Sequence, residues 1–259
     1  MLELKSENAH YLEGISALKI AVVVPAYNEE KLIRDTLENI PNFVDRAYII
    51  DDGSTDATGQ IVQGFNDPRV CYIRHQRNGG VGSAIVTGYR KCLEDGMDIA
   101  IVMAGDNQMD PAHALKLLQP LMDGAADYTK GDRLSVKGYQ VGMSKWRRFG
   151  NWLLTLITRV ASGNWHIIDP QNGYTAITGE ALRKIRFGRI YPGYGYCNDM
   201  LVKLSVLGFK IVDVPMPARY GNEKSKIKYS RYIPRVSWLL LMDFLWRLKM
   251  AFFGSRKAC

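Results

Sequence analysis

Long apolar runs are missing from this chain, and so are the short signatures that settle many functions outright. No stretch reaches the roughly 18 uninterrupted apolar residues needed to span a bilayer, which argues against an integral membrane protein. Residues 1–17 carry Glu3, Lys5, Glu7 and Glu13 with no apolar core, so they read as a polar lead-in and not as a signal peptide. Cysteine is scarce: Cys71, Cys92, Cys197 and Cys259 are widely spaced with no CxxC pair, which removes a zinc site or a disulfide framework and fits reduced thiols in a cytosolic setting. There is no low-complexity tract and no short-period repeat. The glycine-rich stretch Asn78–Gly82 has neither a following Gly-Lys-Ser/Thr nor a third spaced glycine, which argues against an NTPase and against a nicotinamide enzyme.

What is present is an excess of positive charge, and it is local. The net charge is +8 over 259 residues. Lys130–Arg159 holds seven Lys/Arg against Asp132, and Arg219–Arg235 holds six against Glu223, leaving the rest of the chain at −3. Cations gathered in the C-terminal half point to phosphate, anionic lipid or nucleic acid, although a solvated face is the plain alternative for either window alone.

The first half alternates strands and helices. Lys19–Pro25 is a short β-branched run, as expected of a buried parallel strand. Asn28 opens a helical pattern through Leu32, Ile33, Leu37 and Ile40, with Glu29 and Glu30 where a helix dipole favours acids. Further strands are expected at Arg46–Ile50, Val70–His75 and Asp98–Ala104, and helices at Gly80–Glu94 and Pro111–Met122. This order implies an α/β fold, a mainly parallel sheet with helices on both faces. The second half is less regular, with helices at Lys145–Ala161 and Met200–Leu207 and a late strand at Lys210–Val214. No linker interrupts the chain, so the expected organisation is a lead-in over 1–17, one domain over 18–230 and an amphipathic C-terminal helix over 231–259.

Polar residues cluster just after the strands, at Tyr27-Asn28-Glu29, Asp51-Asp52-Gly53, Asn78-Gly79-Gly80 and Asp106-Asn107-Gln108. In open α/β sheets, ligands bind outside the carboxyl ends of the strands, so these ends are the expected site. A carboxylate at Asp51-Asp52 suits a base N–H or ribose hydroxyls, and Gly53 allows close backbone approach; a turn and helix cap is the plain alternative. Asp106 and Gln108 are oxygen ligands suited to a hard cation, Mg2+ or Mn2+, that bridges a diphosphate. A surface turn capping the next helix through Asp110 would also account for them.

Taken together, Val22-Val23-Val24-Pro25-Ala26-Tyr27-Asn28-Glu29-Glu30, Asp51-Asp52-Gly53-Ser54-Thr55-Asp56, Asn78-Gly79-Gly80-Val81-Gly82 and Gly105-Asp106-Asn107-Gln108 resemble a family-2 glycosyltransferase. The nearest branch is that of the dolichyl/polyprenyl-phosphate sugar synthases, and the likeness covers about residues 18–230. The resemblance implies a GT-A (Rossmann-like) fold, a UDP- or GDP-sugar donor, a divalent metal and inversion at the anomeric carbon. By position it puts Pro25, Ala26, Tyr27 and Glu29 beside the base, Asp52 on the base or ribose, and the backbone of Gly79 and Gly80 near the nucleotide. Asp106 matches the metal-binding Asp of the family's DxD element and Gln108 the Gln that follows. Ala104 stands where that element has its first Asp.

Further along, Arg133 in Gly131-Asp132-Arg133 matches a phosphate ligand, and Asp169 heads a stretch matching the acceptor loop. Arg219, Lys224 and Lys226 resemble the Arg-x-x-Gly-x-Ser-Lys element, with one extra residue before Ser225-Lys226. Whatever the family, one Arg and two Lys on a short loop form an anion clamp. Asp199 takes the place of a catalytic base, which a sugar hydroxyl needs and an ionised phosphate does not; a helix N-cap is its plain alternative.

The tail Ile233–Phe253 is aromatic and basic, with the composition of an in-plane membrane helix; packing on the domain or on a second subunit is the other reading. Three functions follow from these features. The first is sugar transfer to a polyprenyl phosphate by a protein peripheral on the cytoplasmic membrane face. The second is transfer to a saccharide hydroxyl. The third, nucleic-acid binding, leaves the acidic strand ends unexplained and has no recognised motif, so no nucleic-acid partner is expected.

Overall fold

The computed structural model describes residues 14–136, 138–139, 145–217 and 229–253. Its centre is a seven-stranded sheet of β1 (Ile20–Ala26), β2 (Arg46–Asp51), β3 (Val70–Arg74), β4 (Ile99–Val102), β5 (Tyr128–Asp132), β6 (Thr175–Thr178) and β7 (Ile211–Pro215), in the order β3-β2-β1-β4-β6-β5-β7. β6 alone runs against its neighbours, so the sheet is mixed and mainly parallel. The helices are α1 (Ile33–Glu38), α2 (Thr58–Gln63), α3 (Val81–Glu94), α4 (Ala114–Met122), α5 (Lys145–Ser162), α6 (Gly179–Lys184), α7 (Tyr196–Val206) and α8 (Tyr229–Phe253).

The apolar run of β1 has a direct cause. Ile20, Val22 and Val24 face one core, with Ile33, Leu37 and Leu117, while Ala21 and Val23 face a second, with Ile85, Tyr89 and Leu201. Because helices cover both faces, no position on the strand is left for a polar residue. Each large apolar side chain so buried stabilises the fold by about 1.5–3 kcal/mol. α3 lies tight on β1: a Cβ at Gly88 would run into the Val23 side chain, so only glycine fits there. A third cluster, with Leu154 of α5, Val202 of α7 and Val236 and Leu240 of α8, fastens the C-terminal helix to the body.

The first half follows the expected alternation, with two adjustments. Asn28 does not open a helix: it sits at φ 52, in the left-handed region, and α1 starts at Ile33. Pro111 begins a short 3-10 turn, capped by the Asp110 carboxylate, before α4.

Candidate active site

The strand ends converge as the topology requires, and the first two blocks are laced together. β1 and β2 end side by side, with Ala26 opposite Asp51. The N–H groups of Asn28, Glu29 and Glu30, first-turn donors in the helix reading, instead donate to Ser54 Oγ (3.0 Å), Thr58 Oγ1 (2.8 Å) and Asp56 Oδ2 (3.1 Å). In return Asn28 Oδ1 accepts from Thr55 N (2.8 Å) and Glu30 Oε2 from Ala57 N (3.1 Å). These exchanges explain why the chain turns at Asn28. Its backbone donors have partners across the strand end that a helix would forfeit.

Asp52 organises the glycine block. Its Oδ1 accepts from Gly79 N (2.9 Å) and His75 Nδ1 lies 2.7 Å from it, while its Oδ2 accepts from Gly80 N (2.7 Å). The other nitrogen of His75 lies 2.9 Å from Thr87 Oγ1 on α3. Gly80 precedes α3 at φ 93, where a Cβ would come within 2.5 Å of Pro192 O, so the position requires glycine on two counts.

After β4 the chain runs through Ala104, Gly105 and Asp106. Gln108 N donates to Asp106 Oδ1 at 3.2 Å across Asn107, whose φ of 54 reverses the chain between the two candidate ligands. Among the described residues no group of three or more His, Cys, Asp or Glu is clustered for a metal. One carboxylate and one amide oxygen are donor types that suit a hard cation whose remaining places are filled by phosphate and water, so Asp106 and Gln108 are chemically suited to Mg2+ or Mn2+, although Gln108 does not line the cavity that Asp106 lines.

One cavity is walled by Pro25, Ala26, Tyr27, Glu29, Asp52, Gly80 and Asp106, together with Asn78, Ala104, Gly193 and Tyr194. Seven residues singled out in the sequence for the nucleotide sugar thus share a single cavity, and Gly79 is held at its edge by Asp52. A second cavity shares Pro25, Val81, Ala104 and Tyr194 with the first. It continues between α5, which supplies Asn151 and Leu154, and α8, which supplies Tyr232 and Ile233. Among the described residues its one charged lining residue is Arg133, and no acid lines it.

Arg133 is held by Asp169. The carboxylate, with no exposed surface, accepts from Arg133 Nε at 2.7 Å, Nη2 at 3.0 Å and the Arg133 backbone N–H at 3.1 Å. Burial alone would raise the Asp169 pKa; the charge and hydrogen bonds of Arg133, with Lys130 nearby, reverse that and hold it below the ordinary carboxylate range. Lys130, itself buried, donates to Asp169 O at 2.7 Å and pairs with Asp213. Asp169, expected as an acceptor ligand, thus has its oxygens engaged by Arg133 and lines neither cavity, while Arg133 itself reaches the second one.

Asp199 lies in the first turn of α7 but lines neither cavity. It has no exposed surface, accepts from Tyr191 N at 2.7 Å and pairs with Lys203. Arg219, Lys224 and Lys226 lie outside the described residues. Three contributors passed unnoticed in the sequence: His75 beside Asp52, Tyr194 between the cavities, and Lys130 beneath Arg133. Lys130 had a signal, a lone cation inside a strand of buried residues, which must have a partner.

Known proteins resemble this chain in sequence and in fold. The sequence model described as Glycosyl transferase family 2 matches residues 21–186. A UDP-N-acetylglucosamine–dolichyl-phosphate N-acetylglucosaminyltransferase of Methanococcus voltae is 31% identical over 216 residues, 78% of this chain and 86% of the relative. An undecaprenyl-phosphate mannosyltransferase of Micrococcus luteus is 29% identical over 204 residues, 77% of this chain and 83% of the relative. In three dimensions the chain is similar to the glucosyl-3-phosphoglycerate synthase of Mycobacterium tuberculosis, solved with Mn2+ and uridine-diphosphate-glucose. The TM-score is 0.67 at 21% identity, over 92% of this chain and 82% of that one, a likeness of fold.

Proposed function

The chain belongs to glycosyl transferase family 2, and from that premise we propose that it transfers a sugar, with inversion, from a UDP- or GDP-sugar to a polyprenyl phosphate of the dolichyl type. The observation that carries this reading is the pairing of cavities. The donor cavity bears the acids Glu29, Asp52 and Asp106; the adjoining one bears Arg133, no acid among the described residues, and apolar walls from α5 and α8. An anionic headgroup on an apolar chain matches the second cavity in charge and in lining. Names of relatives agree: two of them act on dolichyl and undecaprenyl phosphates.

In this mechanism an acceptor phosphate oxygen attacks the anomeric carbon and forms the new C–O bond. The bond to the nucleoside diphosphate breaks, and its electron pair leaves with the diphosphate. The attacking oxygen is already ionised, so no base is required, which suits an Asp199 engaged elsewhere. Arg133, aimed by Asp169, meets the acceptor charge, and Arg219, Lys224 and Lys226 are proposed to add to it. Asp106 and Gln108 would hold a divalent cation, which would supply charge neutralisation for the leaving diphosphate. The Asp52-ordered glycine block positions the nucleotide.

The site of action is proposed to be a membrane surface, on the cytoplasmic face. No described helix is long and apolar enough to cross a membrane. Yet Trp152, Leu156 and Val160 on α5, and Trp238, Leu241 and Leu245 on α8, are exposed at helical spacing on the two helices that wall the acceptor cavity. Apolar stripes with tryptophan on such helices suit the interfacial layer of a bilayer.

The test is an incubation of the protein with a panel of UDP- and GDP-sugars, Mn2+, and either polyprenyl phosphate in vesicles or soluble saccharides. Sugar transferred to the lipid phosphate is the expected result. Transfer only to a saccharide hydroxyl would replace the acceptor; failure to bind any nucleotide would remove the family chemistry.

A further inference from the structure

The buried charges of α7 have no place in the transfer step, yet they sit behind a wall that both cavities share. Tyr194 belongs to that wall, at the end of the loop 191–194. Pro192 O accepts from Ser83 N (3.1 Å) in the first turn of α3, and Gly193 and Tyr194 line the donor cavity beside Gly80. Tyr194 also lines the acceptor cavity. Tyr191, next to a proline, has one side-chain anchor for its N–H: Asp199 Oδ2 at 2.7 Å. The other oxygen of Asp199 pairs with Lys203 one turn on, and Lys203 Nζ stands 3.9 Å from Asp243 Oδ1 on α8. α8 also touches the loop's end, since a Cβ on Gly195 would fall 2.8 Å from Leu239 Cδ2.

We infer that Asp199 is a positioning residue, which fixes the loop Tyr191–Tyr194 against the glycine block and mounts it, through Lys203 and Asp243, on α8. This rests on the donor and acceptor assignments of the two cavities. Three facts favour it over a proton-accepting role. The Asp199 carboxylate is wholly buried, lines neither cavity, and has both oxygens committed. Lys203 supports the arrangement: burial pushes its pKa down to about 8, with Asp243 opposing the fall, so it is still charged at neutral pH between the two carboxylates. The anchor is costly to break, because releasing the loop leaves one oxygen of a buried carboxylate short of a donor.

Nucleotide affinity tells the two roles apart. UDP and GDP, each with Mn2+, are titrated into the full-length protein by calorimetry, and transfer to polyprenyl phosphate is measured in parallel. Asp199→Asn keeps an oxygen for Tyr191 N–H; Asp199→Leu keeps the size and loses the acceptor. For a positioning residue, Asp199→Leu weakens the preferred nucleotide by about tenfold or more, Asp199→Asn by less than about threefold, and turnover follows affinity, on the scale of a hydrogen bond to a charged group. For a base, both variants keep wild-type affinity and lose turnover, which would overturn the inference. If Asp199→Leu does not fold, Asp199→Asn alone decides: keeping the oxygen for Tyr191 N–H, it should bind and transfer within about threefold of wild type, whereas loss of transfer with affinity intact would return Asp199 to the role of base. Binding of neither nucleotide by the wild type would remove the cavity assignment, and this inference with it.

Discussion

Arg133 and Asp169 form one unit: three Arg133 donors, two from the guanidinium and one from the backbone, converge on a carboxylate that has no exposed surface. Its stability has a defined pH dependence. The folded-state pKa of Asp169 is held below the ordinary 3.8, so its stabilisation is present above that value and is lost as pH falls through the folded one. Arg133→Met leaves burial as the dominant influence, which raises the Asp169 pKa and reverses the sign. The variant should be less stable than wild type by about 3 kcal/mol at pH 7, on the scale of a broken buried pair, and the gap should narrow toward pH 4.5. Urea unfolding at the two pH values measures it. A gap that stays constant would show that the pair does not carry the effect.

Metal removal should act through Asp106. Asp106→Ala is expected to keep the fold and lose most turnover, with a transition-state cost of several kcal/mol, and excess EDTA should do the same to the wild type. Because Asp106 stands at a strand end in the donor cavity and outside both sheet cores, the melting temperature should stay within a few degrees of wild type. Full turnover in EDTA would count against this cation site.

The contacts of His75 can be separated by substitution. Asn places an amide nitrogen near the position of Nδ1 and can keep the donation to Asp52; Gln reaches toward Nε2 and keeps the side toward Thr87. Asp52 orders Gly79 and Gly80, so UDP or GDP affinity should fall by about tenfold in His75→Gln and by less than about threefold in His75→Asn. Equal affinities in the two variants would show that Asp52 holds the block without help.

How far the sequence reached depended on the distance over which each feature is decided. β1, β2 and α3 were legible because their patterns are local and long, and both faces of β1 are buried. Residues 28–32 were not, because the donors of Asn28, Glu29 and Glu30 are claimed by Ser54, Thr58 and Asp56, more than twenty residues away. β6 has four residues with no alternation to reveal them, and only pairing with β4 and β5 makes them a strand. The donor-side residues were recognisable as blocks, and seven of them share the cavity. Asp199 and Asp169 were legible as acids but not in their hydrogen-bond partners, since Tyr191 N–H and Arg133 are brought to them by packing.

Membrane association is expected to depend on α5 as well as on α8, which extends the expectation drawn from the tail alone. Trp152 and Trp238 are 60% and 63% exposed, one on each helix that walls the acceptor cavity. Val236 and Leu240 of α8 face inward, so deleting the whole helix would damage the fold, whereas outward tryptophans can be changed without opening the core. Trp152→Ser and Trp238→Ser should each weaken co-sedimentation with vesicles by about 1–2 kcal/mol, part of the value of a fully buried apolar side chain, and the losses should add. Binding should strengthen with anionic lipid and weaken with salt, since each Lys or Arg near a charged surface contributes about 1 kcal/mol and is screened within a Debye length. Transfer to polyprenyl phosphate in vesicles should fall in step with binding, while UDP or GDP affinity in solution stays put. If the variants sediment with vesicles as the wild type does, but lose self-association in analytical ultracentrifugation, the exposed stripes serve a second copy of the chain and not a lipid surface.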